Sequence, residues 1–287
     1  MSLDDIPPLR DPWLLAAFEG WNDAADAASG VVAHLVEEWD ADVLVELDPE
    51  EYYDFQVTRP VLHRFDDGDS ELLWPAPTIY HARPPHSERD VLLLRAPEPN
   101  FRWRGFCSTV LGVASLAGVS EVITLGALLA DSPHTRPVPV SGTSNGLSGR
   151  PMPNVQESHY SGPVGITSVL MAEATRTDLP ATSLWAAVPH YLAEPPCPKA
   201  TLALLGAVED VLQVPLPQGV LDEMSEAWQR GAEQLYEHDE DVADYVRSLE
   251  AEQEPEDLPQ ASGDAIAREF ERYLRRRQGP GHGQPGL

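Results

Sequence analysis

Four short segments hold most of the residues able to do acid–base, anion-binding or stacking chemistry. They are Trp21, Asn22 and Asp23 in EGWND, Glu98 in EPN with Trp103 just beyond, His134 and Arg136 in DSPHTRP, and His190 and Tyr191 in PHY. In such a set Glu98 or a histidine would act as acid or base, and Arg136 would hold an anion. The competing reading is structural, with the histidines, tyrosines and tryptophans bracing loops by packing and hydrogen bonding. His134 and His190 have the chemistry of metal ligands, with Asp131 or Glu98 beside them. Neither sits in an HxxxH-type pair, so no metal is expected. No GxSxG elbow occurs, and Cys107 falls in a helical pattern that suits a buried thiol.

Two further segments carry turn chemistry. SGTSNGLSG at 141–149 offers backbone N–H groups to a phosphate but lacks the GK[ST] ending and the GxGxxG spacing, and is expected to be a surface loop. In YSGPVGI at 160–166, after Tyr160, Gly162 permits a tight turn and Pro163 suits the first position of a helix whose apolar face opens at Ile166. No catalytic set is complete, and no cofactor is expected.

The elements that must position these residues alternate in type. PWLLAAF at 12–18 reads as a buried strand, with a helix from Ala24 to Trp39 that Asn22 or Asp23 would cap. A strand at 42–47 completes a β-α-β unit, which implies parallel sheet. Short strands or hairpins are expected at 53–57, 61–65 and 78–82. Strands follow at 90–95, 121–129 and 181–188, with helices at 103–117, 165–176 and 200–212. This alternation defines a three-layer α/β/α domain with a mainly parallel sheet over residues 1–215. In such a sheet ligands bind beyond the carboxyl ends of the strands, where the four reactive segments fall.

From 216 to 277 a helical region is expected, and 278–287 (QGPGHGQPGL) has the composition of a disordered tail. Residues 222–257 hold 14 acidic side chains against Arg230 and Arg247, on one or two amphipathic helices. Trp228, Leu235, Tyr245 and Leu249 form an apolar stripe that must cover the chain's own core or a neighbouring copy. A second helix at 261–277 ends in Arg272, Arg275, Arg276 and Arg277, which could answer those acids within or between subunits.

The chain has 287 residues and a formal charge of −28, with Lys199 as its single lysine. So negative a chain would repel nucleic-acid phosphates and anionic lipid. Cys107 and Cys197 are too few for a disulfide framework. The acidic, proline-broken N-terminus does not read as a signal peptide, and no apolar run reaches the ~18 residues of a membrane span. A cytoplasmic protein is expected.

FEGWNDAADAA at 18–28, EPNFRW at 98–103, VITLGALLADSPHTRP at 122–137, YSGPVGI at 160–166 and VPHYLAEPPCPKATLALL at 188–205 resemble the proteasome assembly chaperone 2 family in its actinobacterial branch. YVRSLEAE at 245–252 and SGDAIAREFERYLRRR at 262–277 are similar too, so the resemblance covers nearly the whole chain. It implies an α/β/α fold of the phosphorylase/hydrolase-like kind and a homo-oligomer, a trimer or larger. It also implies a partnership with proteasome subunits, since eukaryotic members assemble the 20S proteasome. Family members have also been labelled ATP-grasp-type carboligases, which a single lysine and no Gly-rich nucleotide loop do not support. Archaeal relatives dock through a C-terminal hydrophobic–Tyr–X tail, whereas this sequence ends QPGL. The expectation is a non-catalytic, self-assembling, protein-binding chain, against an enzyme or small-molecule binder using the strand-end crevice.

Overall fold

The computed structural model describes residues 6–252, apart from 66–67, 86, 148–151, 153–154 and 158–159. Its strands are β1 (Trp13–Glu19), β2 (Asp42–Glu46), β3 (Val61–Arg64), β4 (Ser70–Leu73), β5 (Thr78–Ala82), β6 (Val91–Pro97), β7 (Glu121–Ala130), β8 (Val140–Ser144), β9 (Gln156–Glu157) and β10 (Ala181–Pro189). Its helices are α1 (Ala27–Glu38), α2 (Trp103–Ala117), α3 (Ile166–Arg176), α4 (Pro198–Leu212), α5 (Leu221–His238) and α6 (Glu240–Glu252). Among the described residues one eight-stranded sheet has the order β2-β5-β6-β1-β7-β10-β8-β9, and β3 and β4 form a separate hairpin.

The four central strands β6, β1, β7 and β10 are parallel neighbours. Their sequences are near-continuous apolar runs because both faces of the sheet are covered. Side chains alternate between two cores. Leu15 and Ala17 face Val31, Leu35 and Leu204 of α1 and α4, whereas Leu14, Ala16 and Phe18 face Phe106, Val110 and Leu170 of α2 and α3. That is the expected three-layer α/β/α arrangement.

Local chemistry sets the helix ends. Gly118 closes α2 at φ 74°, a left-handed position that glycine adopts without strain, and Pro198 occupies the first turn of α4. The expected helix at 24–39 begins instead with a short 3₁₀ turn at Ala24–Asp26, kinked by Ala25 and Asp26 at φ 52° and 54°.

Three expectations need correction. The helix α1 does join β1 to β2, but β2 lies at the sheet edge with β5 and β6 between it and β1. Residues 53–57 form turns rather than a strand, and the hairpin pairs β3 with β4, the latter not foreseen. Residues 141–144 of the expected surface loop belong to β8, antiparallel to β10. Neighbouring backbone supplies that pairing, which a Ser- and Gly-rich sequence does not announce.

The acidic region 222–257 begins as two helices, separated at Asp239. The apolar face of α5 packs on α4, and α6 follows it over the loop after β7. The predicted helix at 261–277, its four terminal arginines and the tail 278–287 lie outside the described residues.

Candidate functional site

The four reactive segments all fall at the carboxyl ends of the central strands, and there they separate into two sets. The first surrounds Asn22, which is fully buried in the loop after β1. Its Nδ2 donates to Glu98 Oε1 at 2.7 Å, and its Oδ1 accepts from the Thr167 hydroxyl at 3.4 Å. The same Glu98 oxygen accepts the Ile166 backbone N–H at 2.9 Å, so the carboxylate closes the first turn of α3. Ala127 donates its backbone N–H to the Asn22 carbonyl at 2.8 Å, tying this loop to β7. A Cβ on Gly165 would stand 1.8 Å from Asn22 Oδ1, so only glycine fits there.

Asp23, not Asn22, caps α1. Its carboxylate accepts the Ala28 N–H at 2.6 Å and the Ser29 N–H at 3.2 Å. Burial raises its pKa to about 6, against the lowering effect of those hydrogen bonds. Trp103 is half-buried and donates its indole N–H to the Pro99 carbonyl at 2.5 Å. Trp21 points outward and is 65% exposed. Tyr160 is 67% exposed, with its hydroxyl on the Pro163 carbonyl at 2.9 Å.

The second set lies at the ends of β7 and β10. The Tyr191 hydroxyl accepts the His134 backbone N–H at 2.7 Å and stands 2.8 Å from His134 Nδ1. With its oxygen so occupied, the hydroxyl is placed to donate to Nδ1, which puts the imidazole hydrogen on Nε2. That Nε2 is buried without a hydrogen-bond partner. Burial, reinforced by the Lys199 charge, holds His134 below its ordinary pKa. Lys199 donates to the His134 carbonyl and, at 2.7 Å, to Gln229 of α5.

Helix α6 roofs this set. The Tyr245 hydroxyl donates to Asp131 at 2.8 Å, and Arg136 donates to the Glu250 carbonyl at 3.0 Å. Thr135 donates to the Glu250 carboxylate. The rings of exposed His190 and Tyr245 lie 5.0 Å apart, with Tyr191 5.8 Å from Tyr245. Two of the four interface candidates, Tyr245 and Leu249, are thus engaged within the chain: Tyr245 by these contacts and Leu249 by burial. Trp228 packs against the α1–α4 core, and Leu235 remains partly exposed.

His134, Arg136 and Glu98 therefore hold loops and helix ends in place. Among the described residues no group of three His, Cys, Asp or Glu side chains is placed to hold a metal. Cys107 is buried in α2, and burial pushes its thiol up to about 12, outside the range of a nucleophile at neutral pH. Sequence reasoning passed over a groove of about 360 Å³ between α1, α4 and α5, lined by Asp26, His34, Glu37, Pro198, Thr201 and Met224. Its lining comes from separated helices and from Glu19 and Arg95 at the ends of β1 and β6, with no shared local motif.

A second feature not singled out as a site is the hairpin of β3, which lies in the strand expected at 61–65, with β4; all eight residues of the two strands are exposed. Val61 pairs with Leu73 and Leu62 with Leu72. Successive pairs point to opposite faces, so both faces of the ribbon carry apolar side chains. Phe65 and Trp74 extend the exposed surface. The signal available in the sequence was the run of apolar residues on both sides of the sequence DDGD.

Fold and site together define an α/β/α protein whose strand ends are braced by their own loops and partly roofed by C-terminal helices. A family model described as the PAC2 family matches residues 17–236, and the chain belongs to that family. A PAC2 family protein from Streptomyces avermitilis is 49% identical with a TM-score of 0.76, over 82% of this chain and 100% of that one. A Mycobacterium tuberculosis proteasome-assembly chaperone homologue is 50% identical with a TM-score of 0.75, over 82% and 99% of the two chains. An archaeal proteasome activator from Pyrococcus furiosus, at 19% identity and a TM-score of 0.61 over 80% and 95%, shares the fold. No curated protein matches the chain. Among the described residues no helix is long and apolar enough to cross a membrane.

Proposed function

We propose that this chain is a non-catalytic, cytoplasmic assembly chaperone that forms a homo-oligomer of three or more copies. Its clients are subunits or assembly intermediates of the 20S proteasome. The observation that carries this reading is the β3–β4 hairpin. A two-stranded ribbon is marginally stable by itself, and one exposing Val61, Leu62, Leu72 and Leu73 on both faces is suited to burial against other polypeptide. Its neighbours Phe65 and Trp74 are the aromatic types that dominate protein interfaces.

The relatives support the choice of client, since one is described as a proteasome-assembly chaperone homologue and another as a proteasome activator. The bracing roles of Glu98, His134 and Arg136 weigh against the alternative of an enzyme in the strand-end crevice.

The test is co-purification from a proteasome-containing host, with the tagged wild type and a Leu62→Asp, Leu72→Asp variant. Wild type should retain proteasome α subunits and sediment as an oligomer. The variant should lose one or both with little change in its thermal midpoint, because Leu62 and Leu72 are about half exposed and belong to neither core. Recovery of no proteasome subunit by the wild type would refute the chaperone role.

A further inference from the structure

A second apolar surface lies around the buried Asn22–Glu98 pair. Trp21, Phe101, Leu128, Tyr160 and Val164 are all exposed, Phe101 by 50% and Leu128 by 43%. They come from the loops after β1 and β6, the end of β7 and the approach to α3. All are fixed within a few residues of one hydrogen-bonded hub: Asn22 to Glu98, Asn22 to Ala127, and Glu98 to Ile166. This differs from scattered surface hydrophobics, because a rigid polar centre holds the apolar groups at one end of the sheet.

We infer that this rim is the docking surface for the chain's own C-terminal segment, residues 261–277. The path of the chain supports that occupant. Helix α6 ends at Glu252, and Glu250 is held by Thr135 and Arg136 in the loop directly after β7. The chain therefore leaves the described residues on the β7 side of the rim. The eight residues 253–260 can span about 26 Å when extended. The strands from β7 to β6 lie only about 10 Å apart. A helix of 17 residues measures about 25 Å, enough to cross the rim.

The chemistry of the segment fits as well. Ile266, Phe270, Tyr273 and Leu274 recur at helical spacing and form an apolar stripe. Arg268, Arg272 and Arg275–Arg277 belong to a chain whose formal charge is −28 and whose α5 and α6 are acid-rich. The stripe covers Trp21, Phe101 and Leu128, and the arginines meet the acidic helices that stand beside β7. The surface that an α/β fold ordinarily offers to ligands is then occupied by the protein's own polypeptide. This inference is independent of the hairpin and of any proteasome client.

Hydrogen–deuterium exchange on the full-length protein tests it, comparing wild type with a Phe270→Asp, Leu274→Asp variant. In wild type the amides of 20–23, 99–102 and 160–165 should exchange several-fold more slowly than in the variant, with β7 amides equally protected in both. Trp21→Asp should conversely speed exchange within 266–274. Equal exchange at the rim in wild type and double variant would overturn the proposal. So would protection that vanishes on dilution together with a fall in sedimenting mass, which would show that the segment comes from a second copy.

Discussion

Asn22 and Glu98 meet at 2.7 Å between the loops that follow two neighbouring parallel strands. Asn22 is wholly buried, and Glu98 spends its second interaction on the first turn of α3. The pair joins three elements that are far apart in sequence, and its chemistry is that of a fastener. Asn22→Ala leaves the Glu98 carboxylate with one partner fewer in a water-poor site, and Glu98→Ala strands both the Asn22 amide and the Ile166 N–H. Each should cost about 1–3 kcal/mol. Chemical denaturation of the two variants provides the measurement, and wild-type stability in both would contradict the bracing role.

Gly165→Ala tests the same junction sterically. The added methyl would fall 1.8 Å from Asn22 Oδ1, inside any permitted contact, so the Asn22 amide or the start of α3 has to move. A loss of several degrees in thermal midpoint is expected. The double variant Asn22→Ala, Gly165→Ala should lose less than the sum of its parts, because the obstructing side chain is gone.

Asp23 makes stability depend on pH in an unusual direction for a carboxylate. Its pKa is about 6 in the fold against 3.8 for an ordinary aspartate, so the native state holds the proton more tightly. The ionised form is therefore a burden that is complete above about pH 6 and disappears as pH falls toward 4. Relative to Asp23→Asn, wild type should gain up to about 3 kcal/mol over that descent. Unfolding titrations at pH 4 and pH 7 decide it, and a difference between the two proteins that does not change with pH would rule it out.

Helix α6 is held at the β7 loop largely by polar contacts: Tyr245 to Asp131, Arg136 to the Glu250 carbonyl and Thr135 to the Glu250 carboxylate. Arg136→Ala or Tyr245→Phe should therefore loosen α6 without loosening the sheet. Amide exchange in α6 is expected to accelerate about 3- to 10-fold, the factor that a hydrogen bond of about 1 kcal/mol confers, while β7 amides keep their protection. Unaltered exchange in α6 would show that its apolar face, with Val246 and Leu249, suffices to hold it.

The sequence was most readable where burial is symmetrical. The central strands are apolar along their length because helices cover both faces, and the helix expected at 103–117 is α2 to the residue. Reading failed where a distant segment decides the structure. Nothing local in SGTSNG calls for β8, which exists because β10 offers an unpaired edge. The β1-α1-β2 unit was visible, but the insertion of β5 and β6 between its strands was not. The convergence of Asn22, Glu98, His134 and His190 on one end of the sheet followed from topology. Their roles did not, because whether a histidine faces water or the underside of α6 depends on packing between elements over a hundred residues apart.

The roof over His134 and Tyr191 is made of helices that follow every described strand of the sheet along the chain. Every described strand of the sheet is made before α5 and α6, and until those helices are in place the β7 and β10 termini stand bare. A chain truncated near Leu212 would therefore have a finished centre and an unsealed edge.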